Sequence, residues 1–240
     1  MSLSDIRTRV EENLDRDDLT DTQLNRWIND AQRFICRAHN FSFMETECTS
    51  STVDGQRSYA LPDDFKSEIN CELIDSDDYR VPLTKAHKQD IENKWRYRDT
   101  DDPGEPRHYA IQDGQIHLYP EPGHSDNDDT AWTINFEYYG YLDDLSGDSD
   151  TNDLIDNHPE VVELIATAYG FRYDHDHEKY RVWLNDGVGM LQAMIQADNT
   201  QKFGSLEEGM APAPGSSMGA GATRVNSLTR WMNDEDAHYS

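Results

Sequence analysis

Lysine is scarce in this chain: 6 residues, against 15 arginines and a carboxylate complement of 32 Asp and 16 Glu that leaves a net charge of -27. No run of eighteen apolar residues occurs, which excludes a membrane-spanning helix. Cys36, Cys48 and Cys71 are odd in number and lack CxxC spacing, so neither a disulfide framework nor a zinc site is expected, and the thiols should be buried and free. Gly-rich phosphate loops, GxSxG elbows and HExxH pairs are missing, so no catalytic, metal or cofactor signature stands out. The opening MSLSDIRTRV has no apolar core of the signal-peptide kind, and the expectation is assembly in a cytoplasm.

The shortage of lysine beside an excess of aspartate has a physical reading. In molar salt the screening length falls to about 3 Å, so short, strongly hydrated carboxylates cost little in self-repulsion. The composition therefore points to a halophilic source. An acidic interaction protein or nucleic-acid mimic would concentrate its charge on one surface, whereas here Asp is scattered along most of the chain. Gripping nucleic acid needs clustered Lys and Arg. The nearest trio, Lys94, Arg96 and Arg98, is followed at once by Asp99, Asp101 and Asp102.

What is present organises around residues 24–43, LNRWINDAQRFICRAHNFSF. Leu24, Trp27, Ile28, Ala31, Phe34, Ile35 and Ala38 share one helical stripe, with Asn25, Asp30, Gln32, Arg33 and Arg37 opposite. Thr20 and Gln23 form a capping box ahead of it. A shorter helix before it, capped at Ser4, carries Leu3, Ile6, Val10 and Leu14. From Met44 to Tyr141 the apolar period becomes two, which marks strands. Asp54-Gly55 reads as a hairpin turn, and Ile69, Cys71 and Leu73 as the inward face of a strand returning through Val81 and Leu83. A short helix is expected over residues 86–97. The hairpin over residues 107–120 turns at Asp113-Gly114, pairing Ile111 with Ile116 and Tyr109 with Leu118. Residues 124–129 read as an acidic loop. Trp132, Ile134, Phe136 and Tyr138 form the buried face of a further strand. Helix resumes at Pro159, a residue suited to the first helical position. There Val161, Leu164, Ile165, Ala168 and Tyr169 repeat the core stripe and should pack on the residue-24 helix. A break at residues 174–177 precedes a last helix with Tyr180, Trp183, Leu184, Val188, Leu191 and Ile195, weakened by Gly187 and Gly189.

The expected fold class is α+β, a helical bundle built from both ends of the chain with an inserted antiparallel β region. The boundaries are 1–43 for the N-terminal helices, 44–141 for the β-rich insertion, 142–203 for the C-terminal helices and 204–240 for an extended arm. The arm is rich in Gly, Ala, Pro and Ser and cannot form a core. Its charges sum to zero between Gly204 and Met232, where exposure in so acidic a chain would favour Asp. Leu206, Met210, Met218, Val225, Leu228, Trp231 and Met232 are its candidate docking anchors. Two acidic groups could hold a cation for metal-assisted chemistry, Asp148 with Asp150 and Asn152, and Asp174 with His177. The first departs from an EF-hand at Asp153, where glycine is needed, and at Pro159, where a bidentate Glu is needed. The second places His175 and His177 two residues apart, on different faces of a helix.

The order of these elements resembles the head–tail connector (adaptor) proteins of tailed phages. The resemblance is carried by the capped helix, by YALPDDF at residues 59–65, PRHYAI and IHLYPEPG in the hairpin, INFEYYGY, and SDTNDLIDNHPEVVELIATAYGF at residues 149–171. It implies a structural virion protein of the neck between capsid and tail, without enzymatic activity or cofactor. It further implies a ring of twelve copies docking beneath a portal protein, joined to a downstream tail or neck protein. Double-stranded DNA would pass through without specific binding, and no membrane would be involved. Asn25, Asp30, Arg33 and Arg37 are then the candidate contacts between neighbouring subunits.

Overall fold

In the computed structural model the described residues are 1–87, 89–91, 104–123 and 132–203, and they form the expected α+β fold. The chain divides into two units: Met1–Ser42 with everything from Leu145 onward, and Phe43–Asp144. Helix α1, Leu3–Leu14, begins two residues earlier than the sequence suggests. Ser2, not Ser4, is its cap, because the Asp5 carboxylate three residues on can reach back to the Ser2 amide and complete a capping box. Leu3, Ile6, Val10 and Leu14 are buried along one face. Helix α2, Asp21–Ala38, carries the capping box read at Thr20 and Gln23. Leu24, Trp27, Ile28, Ala31 and Ile35 are buried, while Phe34 and Ala38 are only half-buried. Gln32, assigned above to the polar side, is 1% exposed, and its side-chain carbonyl accepts from Asn152 Nδ2 at 2.7 Å.

Helix α3, Asp153–Asn157, is a single capped piece that the sequence reading missed. Five residues are too few to display a period. Helix α4, Pro159–Tyr173, starts with proline at its first position, and α5, His177–Phe203, runs unbroken for 27 residues. α4 packs against α1, α2 and α5 together. Neighbours on several sides explain why Val161, Val162, Ile165, Ala166, Ala168 and Phe171 are all buried, a burial wider than one stripe. At Gly187 α5 lies close against α4: a Cβ there would lie 2.8 Å from Ile165 Cγ1. The glycine that weakens the helix on propensity alone is what lets the two helices approach. At the far end of α5, Asp198 accepts from the Ser42 amide at 2.9 Å and from its hydroxyl at 2.6 Å, and pairs with His39 at 3.0 Å. Burial pushes that carboxyl up, but the Ser42 and His39 hydrogen bonds and Lys202 outweigh it, and the net shift is downward.

The second unit is two four-stranded sheets. The first holds β1 (Glu45–Ser51), β3 (Phe65–Ile74), β4 (Arg80–Pro82) and β8 (Thr133–Gly140), in the order β1-β8-β3-β4. The second holds β2 (Ser58–Ala60), β5 (Thr84–Lys85), β6 (His108–Gln112) and β7 (Gln115–Tyr119), in the order β2-β7-β6-β5. The β6–β7 hairpin has the expected register, with Asp113 and Gly114 both at positive φ as a type I′ turn requires. Tyr59, Cys71, Leu73, Tyr109, Leu118, Ile134 and Phe136 belong to one core drawn from both sheets. Burial in it pushes the Cys71 thiol up to about 12, and all three cysteines are free.

Three details depart from the pattern reading. Asp54-Gly55 is a turn but not a hairpin, since β1 pairs with β8 and β2 with β7, so it passes the chain from one sheet to the other. Ile69 is 42% exposed because the β3–β8 register shifts between Glu68 and Asn70, and the extra residue reverses the in–out alternation. The β region is not wholly antiparallel, because β5 pairs with β6 in parallel. Residues 89–91 are helical, while the rest of the expected 86–97 helix after residue 91, the acidic loop at 124–129, the Lys94, Arg96 and Arg98 trio, and the arm at 204–240 lie outside the described residues.

The two glycines of α5 make opposite expectations. Gly187→Ala should destabilise by ~1–3 kcal/mol, as overpacking against the buried Ile165 does. Gly189→Ala, with nothing within 4 Å of the added Cβ, should stabilise by up to ~1 kcal/mol through helix propensity. Urea unfolding of the two variants side by side checks this, and shifts of the same sign would contradict it.

Candidate functional site

At the candidate cation sites the carboxylates are engaged by the fold itself. The Asp148 carboxylate accepts from the Arg7 guanidinium, which also pairs with Asp21 at 2.9 Å. The Asp148 and Asp150 carbonyls accept from the amides of Ser4 and Leu3 at 3.1 and 2.9 Å, satisfying two of the otherwise unpaired donors at the start of α1. The Asp150 carboxylate accepts from the amides of Gly147 and Ser146 at 2.7 and 2.9 Å, which hold it below the usual carboxylate range. Asn152 caps α3 by accepting from the Ile155 amide at 3.1 Å. Asp174 accepts from Arg16, and Asp176 accepts from the Lys179 amide at 3.1 Å as the cap of α5. Among the described residues no group of three or more His, Cys, Asp or Glu converges as metal ligands do.

A different cluster forms on the outer side of α2 and the end of α4. An open groove of about 750 Å³ is lined by Arg26, Arg33 and Arg37 of α2 and by Arg172 of α4. Its one carboxylate is Asp30, 3.1 Å from Arg33 and 3.8 Å from Arg26. Ion pairs this exposed are worth about 0–1 kcal/mol, so these two organise the side chains more than they stabilise the fold. Among the described lining residues four guanidinium groups stand beside one carboxylate, in a chain of net charge -27.

The groove also has an aromatic wall. Trp27 is 8% exposed and its ring centroid lies 5.7 Å from that of Tyr173, tilted by 51°. Tyr173 is 55% exposed, and the half-buried Phe34 and Tyr169 complete the wall. Flat apolar rings beside guanidinium groups make a surface for a ligand that is anionic and partly apolar, since arginine both stacks and forks onto carboxylates or phosphates.

Of the four residues read as subunit contacts, Asp30, Arg33 and Arg37 lie on this groove, and Asn25 is half-buried beside it in sequence but not on its lining. Arg26 was within reach of the same arithmetic, because 26, 30, 33 and 37 share one helical stripe. Arg172, Tyr169 and Tyr173 had no local signal: only the packing of α4 on α2 brings them there. The arm anchors Leu206, Met210, Met218, Val225, Leu228, Trp231 and Met232 lie outside the described residues. On α5 two large apolar side chains outside the stripe read from the sequence are exposed. Val182 and Met190 are 59% and 41% exposed, on a solvent-facing side of the helix shared with Gly189, Ala193, Ala197 and the charged Asp186.

Arginines of the fold and of the groove should separate in stability measurements. Arg7→Met removes a side chain that is 9% exposed and bound to two carboxylates, and should cost ~1–3 kcal/mol. Arg37→Met, at an exposed position, should stay within ~0.5 kcal/mol of the parent. Denaturant midpoints at one fixed salt concentration check the pair, and an equal loss at both positions would contradict the assignment.

Comparison with known proteins agrees with the order of elements. No curated protein matches the chain. A family model does, described as SU10 adaptor protein and matched over residues 1–215, which takes in both units and all the described residues. The chain belongs to the SU10 adaptor protein family, a family of phage adaptor proteins.

Proposed function

We propose that the chain is a head–tail adaptor of a tailed virus, a structural component that forms a ring beneath the portal protein and continues the DNA channel toward the tail. The family match over residues 1–215 carries this reading. The exposed Val182 and Met190 on α5 support self-association, because they gain by burial against a second copy. Twelve copies would match a portal's symmetry and would carry about -320 charges, a repulsion tolerable where salt screens it. That argument, with the lysine-poor, Asp-rich composition, favours a halophilic host. A downstream tail or neck protein would meet the other side of the ring.

The arm is the proposed portal contact. Leu206 and Met210 fall inside the family match, whereas Met218, Val225, Leu228, Trp231 and Met232 lie beyond it. Burying Trp231 alone would supply a hot spot of about 2 kcal/mol or more. No step of this role calls for a nucleophile, a metal or a cofactor, and among the described residues no helix is long and apolar enough to cross a membrane.

The test is co-purification with the cognate portal protein in molar salt, comparing the full chain with a version ending at Phe203. Full-length protein should be retained and the truncated one lost. Equal retention of both would contradict the docking arm while leaving the adaptor reading standing, and retention of neither would contradict portal docking itself.

A further inference from the structure

Four of the chain's 15 arginines converge on one groove, although the chain has 48 carboxylates over which to disperse them. We propose that this groove holds the acidic end of the chain's own arm, Asn233-Asp234-Glu235-Asp236, with Trp231 and Met232 lying against the aromatic wall. The inference stands apart from the adaptor reading, since it concerns the free subunit.

Charge complementarity is the first support. Residues 233–240 carry Asp234, Glu235 and Asp236 and no Lys or Arg, three carboxylates for a groove lined by four guanidinium groups. The order of chemistry is the second. The arm is neutral from residue 204 to 232, then places Trp231-Met232 directly before its three carboxylates. That is the sequence of groups needed to meet Trp27, Phe34 and Tyr173 on one side and Arg33 and Arg37 on the other. Carboxylates fork onto guanidinium groups, and an indole stacks on aromatic or guanidinium planes.

Reach is the third. Lys202 donates to the Asn40 carbonyl at 2.8 Å, so the end of α5 lies beside the C-terminal end of α2, one turn from Arg37. From Arg37 back to Arg26 is about 16 Å of helix. A 27-residue tether of Gly/Ser-rich character, residues 204–230, has a root-mean-square span of about 26–31 Å, which covers the groove's full length. A tether matched to its span holds its end at an effective concentration of about millimolar, so even a weak site fills from within the chain before a second copy competes.

A crosslinking experiment tests this on the full chain. Arg37→Lys keeps the charge at an exposed position and supplies an amine, and zero-length carbodiimide coupling then joins it to any carboxylate it touches. The reaction is run on an equal mixture of ordinary and 15N-labelled protein, at the lowest salt that preserves the fold. The expected product is an amide between position 37 and one of Asp234, Glu235 or Asp236 within a single isotopic chain. Its yield should fall at least tenfold on adding excess synthetic peptide spanning residues 230–240. Coupling only between differently labelled chains, or none to residues 234–236, would overturn the proposal. Suppression by a short DNA duplex but not by the peptide would also overturn it and assign the groove to a phosphate backbone.

Discussion

The bundle depends on how the chain is pinned when it returns from the β region. Asn29, buried in the middle of α2, donates through Nδ2 to the Leu145 carbonyl and accepts through Oδ1 from the Leu145 amide, both at 2.9 Å. Those two bonds satisfy both backbone groups of one residue in a buried setting, where leaving either unpaired would cost about 1–3 kcal/mol. Gln32 holds Asn152 one turn further along, and Arg7 holds Asp148. Residues 145–152 are therefore fastened to α1 and α2 before α3 and α4 begin. Without that fastening, a unit made from two ends of the chain would have to close a loop of about a hundred residues on apolar contacts alone.

The same arrangement explains the fate of the acidic motifs. Asp148, Asp150 and Asn152 look like cation ligands when read along the sequence, because ligand loops and capping loops draw on the same short polar side chains. In the fold their carbonyls and carboxylates take up the amides of α1, of the 146–147 turn and of α3. Among the described residues these carboxylates serve to organise turns and helix starts. Against that background Arg26, Arg33, Arg37 and Arg172 stand out as four cations lining one groove.

Much of this was legible in the sequence where one physical cause dominated. The capping box at Thr20, the stripe on α2, the Asp113-Gly114 register and the buried face of β8 each follow from a local rule, and each is present. The misreadings share another cause, in that a local rule was overridden by a distant neighbour. Gln32 is buried because Asn152 meets it, Ile69 is turned outward by a bulge against β8, and Gly187 is required by Ile165. The groove was half legible. Its α2 stripe is a matter of spacing, while Arg172 and Tyr173 arrive only through the packing of α4 on α2.

The family, the exposed Val182 and Met190 of α5 and the Asp-rich, lysine-poor composition meet in one proposal, a ring of acidic subunits held together under screening. The most direct test is the sedimentation mass of the chain bound to its portal protein, in molar salt and again below about 0.1 M, where the screening length exceeds 10 Å. The expected result in molar salt is about twelve copies of the 27.6 kDa subunit on each portal ring, with copies lost as salt is withdrawn. One or two copies per portal in molar salt, or a mass indifferent to salt, would contradict it.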